Sequence, residues 1–318
     1  MGVLSIVFII VMFILVIAFL IEFFSKKQRL KDNIKYGIFF AIVIFLLDGF
    51  ITLIRMGEFL GFAFFMVIVV VFLRTIMFVS VGNYHCMKMN IKDVPLIRRL
   101  FNYWERRNGN ESDSEILEEY SKECDDEERV CIEPYDSEVS SETDTEEKEI
   151  LNESCIDVEW KKFFLWTAIV LIASIAYSVI LFKLTSPEPS QALKDMIGGD
   201  VDLKSVGFSD MFHVGIMVFV IALNEEIMFR LGIQNFLAVK FKLQDNKYWI
   251  AIVLTSILWS IGHANTLSPE WVKFAQVFPI GIALGFLFRR FGLESTMIVH
   301  GVLNVVMMML QISEFIKV

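Results

Sequence analysis

Eight apolar stretches, each about as long as a bilayer core is thick, leave this chain very few ways to fold. They are Leu4–Phe24, Tyr36–Ile54, Phe59–Val81, Phe163–Phe182, Met211–Phe236, Tyr248–Ala264, Trp271–Phe288 and Ser295–Ile312. A hydrocarbon core of ~30 Å takes roughly 20 apolar residues of helix to cross. Inside lipid every backbone N–H and C=O must find a partner within the protein, so only helices and closed barrels can span. Barrel strands alternate apolar and polar residues, and these runs do not. With 55% hydrophobic residues over 318 positions, the chain reads as an all-α, polytopic transmembrane bundle of about eight spans. The first run has no basic residue before it and no small-residue cleavage site after it. It therefore reads as a retained span rather than a signal peptide.

The formal charge of −9 hides two opposed parts. Between Asn110 and Trp160 there are 21 Asp/Glu against 3 Lys/Arg, leaving 17 acids and 26 bases elsewhere. The sequence thus divides into three N-terminal spans (1–82), a hydrophilic acidic insert (83–160) and five further spans (161–318). The insert up to Arg107 is basic and aromatic, suited to an anionic membrane surface. Beyond it, few large apolar side chains are available to offset the entropy of ordering, so mostly disorder is expected. One transient helix is expected around Ile116–Glu123. A solvated spacer is the default reading of such a charge run, and a docking segment for a cytosolic partner is the sharper one. No basic stripe suited to nucleic acid is present.

Lys26–Lys35, Lys88–Arg107, Lys161–Lys162, Lys240–Lys247 and Arg289–Arg290 fall in alternate loops. The positive-inside rule then places the insert in the cytosol and both termini outside. The four cysteines, Cys86, Cys124, Cys131 and Cys155, form no C-x-x-C pair. They read as reduced thiols of a cytosolic loop.

Ionisable side chains are expensive inside lipid and mark function or tight pairing. Three polar sites stand out on separate C-terminal runs: Glu225-Glu226-x-x-x-Arg230, Trp259-x-x-x-His263 and His300-x-x-x-Asn304. At 3.6 residues per turn Glu226 and Arg230 are neighbours that can pair, and Glu225 turns about 100° away. A carboxylate left in an apolar surround suits a general base acting on water. His300 and Asn304 share a helix face and could donate to a developing oxyanion. Alternatively Glu225, His263 and His300 offer zinc the nitrogen and carboxylate donors it takes. A buried ion network that only locks helices together is the structural reading of the same residues. Gly262, beside His263, would admit a neighbouring backbone. Asp48 and Arg74, on the second and third runs, read as an intramembrane ion pair.

These three motifs, in this order and nearly 40 residues apart, resemble the CPBP family of intramembrane proteases. The family includes the CAAX prenyl endoproteases and bacterial proteins similar to lysostaphin-resistance protein A. The resemblance covers roughly Val206–Ile312. It implies an endopeptidase acting on a peptide bond at or within the membrane. Glu225 would activate the attacking water, with Glu226 and Arg230 in support. His263 would position the water or bind metal, and His300 with Asn304 would hold the oxyanion. The family carries a metalloprotease label, so zinc is the one cofactor implied, although a metal-independent glutamate mechanism has also been proposed. Two positions depart from the usual pattern: Trp259 stands where Phe is usual, and Leu231 separates Arg230 from Gly232. The implied partners are a peptide or protein substrate and the bilayer. The Ile/Phe/Lys-rich, Pro-poor composition points to the plasma membrane of a low-GC bacterium.

Two readings of other classes remain at this level. One is a transporter or channel, which internal repeats would favour, although neither motif recurs in the first half. The other is a non-catalytic membrane regulator. Depth poses a further problem. At ~1.5 Å per residue, His300 and Asn304 lie about 9 and 15 Å from the cytosolic ends of their spans, and His263 about 21 Å. The simplest topology leaves His263 apart.

Overall fold

The computed structural model describes residues 3–26, 30–49, 58–89, 93–107, 144–190, 208–243, 245–264 and 266–312. Ten α-helices are described. They are α1 (Val3–Ser25), α2 (Lys31–Ile44), α3 (Glu58–Lys88), α4 (Pro95–Arg107), α5 (Asp144–Thr185), α6 (Phe208–Glu226), α7 (Asn235–Lys240), α8 (Tyr248–Gly262), α9 (Glu270–Phe291) and α10 (Leu293–Ile312). Short π-helical segments continue α2 (Phe45–Gly49) and join α6 to α7 (Ile227–Gln234). Among the described residues, six helices are long and apolar enough to cross a membrane, and two shorter apolar ones, Asn33–Leu47 and Tyr248–Gly262, lie at the second and sixth expected spans. The protein is an integral, multi-pass membrane protein with an all-helical core.

The chain divides into two compact units, one of residues 1–95 and 163–318 and one of residues 96–162. In the smaller unit, α4 leaves Leu100, Tyr103 and Trp104 exposed, and the Arg99 guanidinium lies 5.7 Å from the Trp160 ring. Helix α5 begins at Asp144, inside the stretch expected to be disordered, and α3 runs on to Lys88 rather than ending near Val81. The transient helix expected around Ile116–Glu123 lies outside the described residues.

Lipid supplies no hydrophobic drive between helices, so close packing must hold the larger unit together. Small residues allow it. A Cβ at Gly82 of α3 would stand 2.6 Å from the Leu231 carbonyl oxygen, and one at Gly232 would stand 2.6 Å from the Phe78 ring. The π-helical segment therefore lies directly against α3. Phe19 of α1 stacks on Phe78 with ring centroids 4.3 Å apart. The Cβ space at Gly262 is filled by the Phe8 ring of α1, so a side chain rather than a backbone makes the close approach expected there.

Glu22, near the end of α1, is a charge whose role the sequence alone left unread. It is buried, 2.8 Å from Lys26 Nζ, 3.1 Å from His85 Nε2 and 3.4 Å from Lys240 Nζ. The cluster ties α1, α3 and α7 together at one end of the unit. At the opposite ends of α5 and α8, Glu188–Pro189 (β1) pairs antiparallel with Leu267–Ser268 (β2).

Candidate active site

The three motifs meet around Trp259 and one oxygen of Glu225. Trp259 Nε1 donates to Glu225 Oε2 at 2.8 Å. His263 Nε2 and His300 Nε2 stand 3.7 and 3.8 Å from that same oxygen. Both imidazoles meet the indole edge-on, with centroids 5.1 Å apart in each case. His263 therefore belongs to the site, and the depth mismatch is resolved. The span carrying Glu225 extends to Lys240 rather than Phe236. Counted from Lys240, Glu225 is then about as deep as His263 counted from Tyr248, roughly 20 Å. Depth counted from the start of α10 misleads for a different reason. Leu293 N–H donates to the Asp93 carbonyl at 2.6 Å, and Glu294, Ser295 and Thr296 are buried. Helix α10 thus begins inside the protein rather than at its surface.

Behind this front row sits a buried carboxylate. Glu226 Oε1 is 2.9 Å from His300 Nδ1, and Glu226 Oε2 is 3.4 Å from Arg230 Nε. Such a pair is tolerable away from water only where each charge is compensated. Arg230 is fully buried, and its guanidinium also lies 5.0 Å from the Trp259 ring centroid, within cation–π range. Exposure divides the roles. The side chains of Glu225 and His263 are 21% and 23% accessible, whereas those of Glu226 and His300 are 1% and 4%. Glu225 and His263 face an opening, and Glu226, Arg230 and His300 form its floor.

Each imidazole has one nitrogen committed. His263 Nδ1 lies 2.9 Å from the Trp259 carbonyl, which can only accept, so that nitrogen carries the proton. The His263 carbonyl in turn accepts from Thr266 Oγ1 at 2.9 Å, anchoring the end of α8 beside β2. Glu226 likewise fixes the Nδ1 proton of His300, which leaves both Nε2 atoms turned toward Glu225. At 3.7–3.8 Å those contacts are too long for direct hydrogen bonds and suit a water held between the three groups. Asn304 is half-buried on α10, one turn beyond His300. It makes no hydrogen bond to a described residue.

Imidazole nitrogens anchored through their far side are also what a metal ligand set requires. Among the described residues, however, no group of three His, Cys, Asp or Glu is placed to hold a metal ion. The Glu225 oxygen facing both imidazoles also accepts from the indole N–H.

Residues 207–306, the segment that holds all three motifs, match the model for the Rce1-like family, described as type II CAAX prenyl endopeptidase Rce1-like. This segment is similar to that family. The sporulation-killing factor biosynthesis protein SkfC of Bacillus subtilis (strain 168) is 28% identical to the chain over 95 residues. That match covers 30% of this chain and 18% of SkfC. No solved structure matches the chain significantly.

Several residues around this centre were not singled out by their motifs. Below it, Gln234 Nε2 donates to the Tyr248 hydroxyl at 3.0 Å, Tyr248 donates to Asn235 Oδ1 at 2.9 Å, and Gln234 Nε2 reaches the Gly285 carbonyl at 3.2 Å. This network joins the π-helical segment to α8 and α9. Amide and phenol groups buried in apolar runs were its only signal in sequence. Arg74 was expected to pair with Asp48. The side chain of Asp48 lies outside the described residues, and Arg74 Nη2 donates to Asn224 Oδ1 at 2.8 Å, next to Glu225.

Proposed function

We propose that this protein is an intramembrane endopeptidase in which Glu225 activates water for attack on a peptide bond. One observation carries the reading: the half-open Glu225 carboxylate faces the Nε2 atoms of both His263 and His300, whose other nitrogens are committed. The family to which residues 207–306 are similar is named for endopeptidase activity, which agrees with it.

In this mechanism water lies between Glu225, His263 and the substrate carbonyl. Glu225 takes one water proton as the oxygen adds to the carbonyl carbon, and His263 Nε2 accepts a hydrogen bond from the other. The resulting oxyanion is held by Asn304 and by His300. With Nδ1–H committed to Glu226, His300 can donate from Nε2 only as an imidazolium, whose charge the Glu226 carboxylate offsets. Glu226 in turn is balanced by Arg230. Glu225 then passes its proton to the departing amine as the C–N bond breaks. Trp259 holds Glu225 in the required orientation.

The substrate is a peptide or protein that reaches the site from the bilayer. The similar family's description names a CAAX prenyl endopeptidase, which fits release of a short segment from a membrane-anchored polypeptide. Comparative mapping of new peptide termini, in membranes carrying the wild-type chain or Glu225→Gln, identifies the cleaved bonds. Purified Glu225→Gln protein should lose cleavage of those peptides by at least ~100-fold while its thermal unfolding stays near wild type. Retained cleavage sinks the mechanism. Cleavage that stops on chelation and returns with zinc would reassign Glu225, His263 and His300 as ligands.

A further inference from the structure

A cavity of about 250 Å³ opens beside the candidate base, lined by Arg74, Ile221, Asn224, Glu225 and Met228. Arg74 comes from α3, outside the segment that matches the Rce1-like model. Its guanidinium is held rather than free to swing. Nη2 donates to Asn224 Oδ1 at 2.8 Å, and the Asn224 amide is itself fixed by donating Nδ2 to the Val220 carbonyl at 3.1 Å. No acid among the described residues forms an ion pair with Arg74. A guanidinium has five N–H groups, and among the described residues Asn224 engages one of them.

The cavity's surroundings indicate where that ligand comes from. Val214, Met217 and Ile221 are exposed along one face of α6, at the three- and four-residue steps of a helix. In a membrane-spanning helix that face meets lipid, and Asn224, Glu225 and Met228 continue it. The cavity therefore opens sideways toward the bilayer. It falls below the roughly 300–1,000 Å³ of a typical small-molecule pocket, so it suits a short piece of a longer chain.

We propose that Arg74, oriented by Asn224, is a subsite for a substrate carboxylate lying within a few residues of the scissile bond. Arg pairs with carboxylates through two parallel hydrogen bonds and is the cation suited to such contacts away from water. A carboxylate approaching Glu225 unaided would meet like charge in a medium that screens poorly. Arg74 sits in the same cavity wall and offsets that repulsion. The carboxylate can be a free chain end or an Asp/Glu side chain. This inference rests on the catalytic reading for its placement, but binding alone tests it.

The experiment uses full-length Glu225→Gln protein in nanodiscs and an apolar fluorescent peptide made in three forms. These carry a C-terminal acid, a C-terminal amide, or a C-terminal amide preceded by Asp. At least one carboxylate-bearing form should bind ten times more tightly than the plain amide, and the form that does identifies the source. Adding Arg74→Gln should bring that ratio close to one, and Arg74→Lys should retain part of it, since Lys keeps the charge without the fork. Equal binding of all forms, no binding of any, or a ratio untouched by Arg74→Gln overturns the subsite. Cleavage by the Glu225→Gln protein would overturn the catalytic reading instead, leaving the ratio to decide on Arg74.

Discussion

At the scale of single residues, the site is two carboxylates with different surroundings. Glu225 is half-open and, among the described residues, takes its one side-chain hydrogen bond from Trp259, whereas Glu226 is enclosed by His300 and Arg230. Trp259 stands where the resembled family usually carries Phe, and the difference has a chemical consequence: an indole can donate to Glu225 and a phenyl ring cannot. Trp259→Phe keeps an aromatic face for both imidazoles but frees the carboxylate. A hydrogen bond to a charged group contributes about 1.5–3 kcal/mol, so kcat should fall roughly tenfold in single-turnover assays. Arg230→Met acts differently, because it removes the guanidinium that pairs with the buried Glu226. Removing one partner of a buried pair costs about 3–5 kcal/mol. Denaturant unfolding in detergent should show that loss, and Glu226→Gln added to Arg230→Met should restore part of it.

At the scale of elements, the π-helical segment Ile227–Gln234 explains how the motifs come together. It follows Glu226 directly, lies against α3 through Gly82 and Gly232, and sends Gln234 to α8 and α9. Two glycines separate close packing from open space. A Cβ at Gly82 meets the Leu231 carbonyl at 2.6 Å, whereas at Gly215 the nearest contact is the flexible Met308 Cε at 3.5 Å. Gly82→Ala should destabilise the protein by about 1–3 kcal/mol through forced backbone shifts. Gly215→Ala, at an ordinary helical position, should be neutral or gain up to ~1 kcal/mol from helix propensity. Melting temperatures of the two variants, measured side by side, provide the check. Equal shifts would remove the packing account.

At the scale of the whole molecule, the distribution of bases predicts an orientation with the acidic insert in the cytosol. Cys124 and Cys131 lie in the insert, so a membrane-impermeant maleimide should label neither in intact cells and should label both after permeabilisation. Labelling of intact cells would invert the topology. The apolar runs, their helical class and the three polar motifs were legible in the sequence because a bilayer admits so few alternatives. The i,i+4 pairing of Glu226 with Arg230 was also legible, since it depends only on helical geometry. The depth of His263 was not, because it turned on a fifth span that runs on to Lys240 and on an α10 that begins inside the protein. The Asn224 partner of Arg74 and the Trp259–Glu225 bond cross between helices. Hydropathy carries no information about which face of one helix meets another. The sequence by itself determined that the chain crosses the membrane as helices and which side chains are too costly there to be incidental. Only the tertiary structure decided which of them meet, because small residues and a π-helical segment set the depth and rotation of each helix against its neighbours.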